Sequence, residues 1–102
     1  MDNNLQILGL TKKAGLLAVG ANDTHSAAKA GKAKVVISAS DASDSAVRRA
    51  RNSAEIGRVQ HIIVPYTSFE LGTVSGRGSP GTLAILDSGL AAKFVKLITN
   101  SE

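Results

Sequence analysis

Apolar and polar positions divide the chain into nine segments that alternate between helical and strand periodicity. Leu5 and Leu8, with Leu10 as a third candidate, give Asn3 to Ala14 one apolar stripe, and Gly15 is a natural helix stop. Leu16 to Val19 has the length of a short strand. Gly20 then turns the chain into a second helix that ends near Gly31. Val35 to Ala39 is rich in β-branched residues and apolar at nearly every position, which predicts a strand covered on both faces.

Asp41 to Ser45 offers several helix caps, and the spacing predicts a helix over Ser43 to Ile56. Its inner face is Ala46, Val47, Ala50 and Ala54, with Arg48, Arg49, Arg51 and Glu55 mostly outside. His61 to Val64 reads as a third strand closed by Pro65. Thr67-Ser68-Phe69-Glu70 has the form of a capping box opening a short fourth helix, its end bracketed by Gly72 and Gly76. Thr82 to Leu86 is the fourth strand. Ser88 is placed to cap a last helix with Leu90, Ala91, Phe94, Val95 and Ile98 inside, and residues 99–102 read as a frayed tail. Alternating helices and apolar strands build an α/β fold. The expectation is a three-layer α/β/α sandwich on a central mixed sheet of about four strands, with strand order and direction left open.

Length and composition narrow the picture. With 102 residues, 43% of them apolar, and no internal repeat or low-complexity tract, one folded domain is expected over 1–102. The absence of cysteine excludes disulfides, thiol nucleophiles and Cys-based zinc sites. No signal-peptide pattern and no long apolar run are present, so a cytoplasmic protein without membrane association is expected.

Charge adds a direction. The net charge is +4, and the excess is local: residues 1–34 hold five lysines and two acids, whereas residues 61–102 balance three against three. A polyanionic partner suits this distribution. The only aromatic residues are Tyr66, Phe69 and Phe94, too few for a surface that stacks single-stranded bases. A nucleic acid bound here would be recognised by shape and base edges.

The second helix carries the candidate chemistry. Thr24, Ala27, Ala28 and Gly31 form a small-residue stripe suited to packing on the sheet, and Asn22, Asp23, His25, Ser26 and Lys29 take the opposite face. A helix start presents unpaired N–H groups. Asn22 adds a donor and an acceptor, and Asp23 acceptors only, a combination suited to a guanine edge. The lysines beyond could hold phosphates. Equally, Asn22 and Asp23 could merely complement the helix end, with the lysines solvated.

Gly20-Ala21-Asn22-Asp23-Thr24-His25-Ser26-Ala27 resembles the Gly-Thr-Asn-Glu-Val-Thr-Lys-Ala signature of the ribosomal protein L7Ae family, which binds kink-turn RNA. The likeness extends to Gly31–Ile37, Asp41-Ala42-Ser43 and Ser68–Gly72. Asp87–Lys93 and Leu8–Gly15 are similar to the short bacterial, YlxQ-like members. The resemblance implies an RNA-binding protein, associated with the ribosome or translation. Its partner would be structured, kink-turn-like RNA, with ribosomal RNA among the candidates. No DNA specificity, no cofactor, no metal and a monomeric state are expected. Gly20 and Ala21 would allow close approach, and Asn22 and Asp23 would meet the guanines of tandem G·A pairs. Ser26 stands where the signature has Lys. The loop with Arg77, Gly78 and Ser79 would lie against the bulged nucleotides, and Lys29, Lys32 and Lys34 are added as phosphate partners.

Two other classes stay open. Asp41, Asp44 and Asp87 stand near strand ends, where α/β enzymes place metal-binding carboxylates, but each also falls where a helix cap is needed. His25 and His61 have no nucleophile at a recognisable spacing, and Gly76–Gly81 lacks the ending of a P-loop. An enzyme is not expected. Arg48, Arg49, Arg51 and Arg58 could instead form a basic face for an acidic protein or for ribosomal RNA.

Overall fold

The computed structural model describes residues 3–99, so residues 100–102 of the expected tail lie outside the described residues. The elements run α1 (Asn3–Lys13), β1 (Leu17–Val19), α2 (Ala21–Lys29), β2 (Val35–Ser38), α3 (Asp44–Gly57), β3 (Gln60–Ile63), α4 (Ser68–Ser75), β4 (Thr82–Ile85) and α5 (Ser88–Thr99). The strands form one sheet in the order β1-β4-β2-β3. β4 is antiparallel to both its neighbours, and β2 is parallel to β3, with Val36 opposite both Ala84 and His61. The α/β/α sandwich with a mixed sheet expected from the alternation is what forms.

Strand side chains alternate between faces, and the two faces differ in kind. Val19, Val35, Ile37, Leu83 and Ile85 point to the side of α1, α4 and α5 and pack with Leu5, Leu8, Leu71 and Phe94 in the large core. Ala18 and Ala84 point the other way, to Ala28 of α2, and Val36 meets Ala50 and Ala54 of α3. One layer is therefore deep and branched, the other thin and built on alanine. Small residues also bring α2 and α3 together: a Cβ on Gly57 would stand 3.3 Å from the Ala28 Cβ.

Boundaries differ from the sequence expectation by a residue or so, but some placements differ in substance. Leu10 is not part of the α1 stripe; it is 61% exposed, and Asn4, Ile7 and Thr11 complete the buried face. Thr11 is tolerated there because its hydroxyl donates to the Ile7 carbonyl at 2.7 Å, and the Asn4 amide donates to the Tyr66 hydroxyl at 3.1 Å. The third strand begins at Gln60 and ends at Ile63, leaving Val64 buried just beyond it. Gly72 lies inside α4, and Gly76, at φ 73°, ends that helix in the left-handed region. The capping box is present: Thr67 Oγ1 accepts from the Glu70 N–H, and the Glu70 carboxylate accepts from the Thr67 N–H at 2.9 Å.

Because β1, β2 and β3 run one way and β4 the other, four connections gather at one end of the sheet. They are Gly20, residues 39–43, residues 64–67 and residues 76–81. The remaining connections, residues 30–34 among them, lie at the opposite end. No helix among the described residues is long and apolar enough to cross a membrane.

Candidate functional site

The first of the gathered connections is the single residue Gly20. Its φ of 97° lies where only glycine is at ease, and its N–H donates to the Thr82 carbonyl at 2.8 Å, tying the turn to β4. No side chain caps α2, so the N–H groups of Ala21, Asn22 and Asp23 stay unfilled at an exposed helix start. Thr24 turns inward and is fully buried.

A second connection folds onto this start from 54 residues away. Arg77 Nη1 lies 3.1 Å from Asp23 Oδ2 and 3.5 Å from the Val19 carbonyl oxygen. The loop is held at its base by a close approach: a Cβ on Gly72 of α4 would overlap the Gly78 carbonyl oxygen and stand 3.5 Å from Pro80 Cδ. Gly78 itself has φ 46°. Sequence and packing together aim Arg77 at α2 and leave Gly78 and Ser79 exposed beside it. The Arg77–Asp23 pair is about 60% exposed on each side, so it contributes at most about 1 kcal/mol and opens readily to a competing ligand.

The third contributor is Arg49 of α3, whose Nη2 donates to Asn22 Oδ1 at 3.3 Å. A guanidinium only donates, so it fixes the amide oxygen inward and leaves the Asn22 NH2 group as the outward function. An amide donor and a carboxylate acceptor thus stand side by side, each steadied by an arginine. Position along the chain hid Arg49: helical periodicity places it on the outside of α3, and only the close α2–α3 packing brings it to Asn22.

Not every expected residue joins this cluster. Ser26 and Lys29 continue the Asn22 stripe along α2, Lys29 about 10 Å further along the axis. Lys32 and Lys34 lie past the end of α2, at the opposite end of the sheet, and Lys34 Nζ reaches back to the Gly31 carbonyl at 3.4 Å. His25 is not on the outer face; it is half-buried, with Nδ1 2.9 Å from Ser53 Oγ of α3.

The remaining polar candidates have structural partners. His61 Nε2 lies 2.8 Å from the buried Ser38 hydroxyl, and burial, reinforced by the Arg51 charge, pushes its pKa below 6.5. Asp41 accepts from the Ser68 N–H at 2.8 Å, which ties the β2–α3 turn to the start of α4. Ser43, rather than Asp44, caps α3 by accepting from the Ala46 N–H. Asp87, rather than Ser88, caps α5 by accepting from the Leu90 N–H at 2.9 Å. Among the described residues, no three His, Asp or Glu side chains come close enough to hold a metal ion.

The fold has solved counterparts. A protein of unknown function from Bacillus halodurans superposes with a TM-score of 0.85 at 24% identity, covering 95% of this chain and 97% of its own. The Giardia lamblia 15.5kD RNA binding protein superposes with a TM-score of 0.74 at 20% identity, covering 93% of this chain and 83% of its own. No curated protein matches the chain. The model of one family matches residues 2–95, nearly the whole length and every element up to the middle of α5. The chain belongs to the ribosomal protein L7Ae/L30e/S12e/Gadd45 family.

Proposed function

We propose that the protein binds structured RNA of the kink-turn type through the start of α2 and the 76–81 loop. One observation carries the reading: Arg77 and Asp23, 54 residues apart, meet at 3.1 Å beside an uncapped helix start. A guanine edge offers acceptors at O6 and N7 and donors on its Watson–Crick side. The outward Asn22 NH2 and the Asp23 carboxylate are the complementary pair. Gly20 and Ala21 keep the approach low, and Ser26, Gly78 and Ser79 border it. Arg77, drawn from Asp23 to a phosphate, frees the carboxylate for the base. Lys29 continues the stripe, whereas Lys32 and Lys34 serve only an RNA that runs the length of α2.

Family membership and the RNA-binding relative from Giardia lamblia support an RNA partner. We further propose a monomer that acts with the ribosome or another part of the translation machinery. The test is titration against a bulged duplex with tandem G·A pairs and against the same duplex with those pairs made Watson–Crick. A clear preference for the first is expected in the native protein and a loss of about 1–3 kcal/mol in Asn22→Ala or Asp23→Ala. Equal affinity for both RNAs refutes the base-reading role.

A further inference from the structure

We propose that the RNA surface does not end at α2 but continues across α3, where Arg49, Arg48 and Arg51 form a track for successive phosphates. The inference rests on the RNA reading above and extends it to a face outside the family signature.

The cations near the helix start set the problem. Lys32 and Lys34 lie at the far end of the sheet, Lys29 lies about 10 Å along α2, and Arg77, once drawn from Asp23, serves one phosphate. A polyanion seated on Asn22 therefore meets α3 next, because Arg49 is already bonded to that side chain at 3.3 Å. Arg48 stands between two grooves. One, of about 430 Å³, is lined by Ser45, Arg49 and Asn52. The other, of about 490 Å³, lies toward β3, with Val47 and Ile63 in its lining and Arg51 on its wall.

Arg48 and Arg51 are exposed and make no salt bridge with a described residue; Glu55, one turn beyond Arg51, stays more than 4.0 Å away. Residues three apart on a helix stand about 5–6 Å apart at Cβ, close to the step between phosphates along one strand. Asp44 in the second groove bounds the track at the start of α3 and turns the backbone toward Arg51. The arginines of the described helices all lie on α3, on the side of the sheet that carries Asn22.

The experiment uses the full chain and the G·A-containing duplex as probe. Arg48→Gln/Arg51→Gln is compared with Lys93→Gln/Lys96→Gln, which removes the same charge from α5 on the other face. Two lost phosphate contacts flatten the log–log salt slope by about 1.5 and weaken binding roughly 10- to 40-fold at 0.1 M salt. The α5 pair should do neither. The chain contains no cysteine, so Arg51→Cys carries a photo-crosslinker uniquely, with Lys96→Cys as control. Crosslinking of RNA from position 51 but not 96 is expected.

An unchanged slope with no crosslink from position 51 overturns the track, whether the face is only solvated or belongs to an acidic protein. Loss of G·A preference in Asn22→Ala would in that case leave the α2 reading intact. If the native protein binds neither RNA, both readings fall together.

Discussion

Replacing Gly72 with alanine tests how the 76–81 loop is held over the helix start. The new Cβ would fall on the Gly78 carbonyl oxygen and 2.9 Å from its carbon, both backbone atoms that cannot swing aside. The loop must retreat by on the order of 1 Å to restore ordinary contact. Such overpacking costs about 1–3 kcal/mol. The better helix propensity of alanine returns up to about 1 kcal/mol of that. A net loss of about 1–2 kcal/mol lowers Tm by roughly 4–15 °C in a domain of this size. Gly9→Ala is the control, because its Cβ would meet only Val74 Cβ at an ordinary 3.9 Å in α1. That variant should melt a few degrees higher. Thermal unfolding followed by circular dichroism reads both, and RNA titration at 25 °C, where each variant is still folded, reads the loop. Gly72→Ala should bind more weakly, since moving Gly78 carries Arg77 away from the helix start and from the phosphate it would hold there. If Gly72→Ala melts at or above the native protein, the loop is not seated on α4 as described.

Three further variants probe the core, the end of α3 and the α3-facing side of the sheet. Phe94→Ala empties the centre of the large core and should cost about 3–5 kcal/mol in urea unfolding; a loss below 1 kcal/mol would show that Phe94 is not central. Arg58, the one described non-glycine residue with positive φ, at 56°, ends α3 in the left-handed region. Arg58→Gly should therefore raise Tm slightly, and a fall would refute the strain. The lowered pKa of His61 means the unfolded chain binds its proton first as pH falls. Its contribution to stability is full above 6.5, its ordinary value, and declines below that, and His61→Gln should remove this part of the pH dependence. An unchanged profile from pH 7 to 5 in that variant would contradict the burial.

Local signals carried most of the architecture. Glycine stops, the Thr67–Glu70 capping box and the β-branched run of Val35–Ile37 each mark an element through interactions within a few residues. Leu10 misled because an apolar residue in a helix carries no label for its face; Asn4 and Thr11 took buried positions by finding hydrogen bonds in α1 and on Tyr66. Asn22, Asp23 and Arg77 were visible as residue types, and the family resemblance assigned the first two to the guanines and the loop of the third to the bulge of one expected RNA surface. Their assembly was less visible, because Arg49 reaches Asn22 only through helix packing. The placement of Lys32 and Lys34 follows from strand direction, which periodicity does not encode.

The unequal faces of the sheet give the protein two opposite kinds of mutational tolerance. Toward α1, α4 and α5, truncation is the damaging change, because each branched side chain fills space that nothing else reaches. Toward α2 and α3, truncation has little left to remove; enlargement is the damaging change, since Ala18, Ala28 and Ala84 set how closely the helices lie. A saturation library scored for abundance should show this as mirror-image profiles on alternate residues of β1 and β4. Outward residues of α2 and α3 stand apart from both constraints. The recognition proposed for that face can therefore be re-specified with little loss of folding stability.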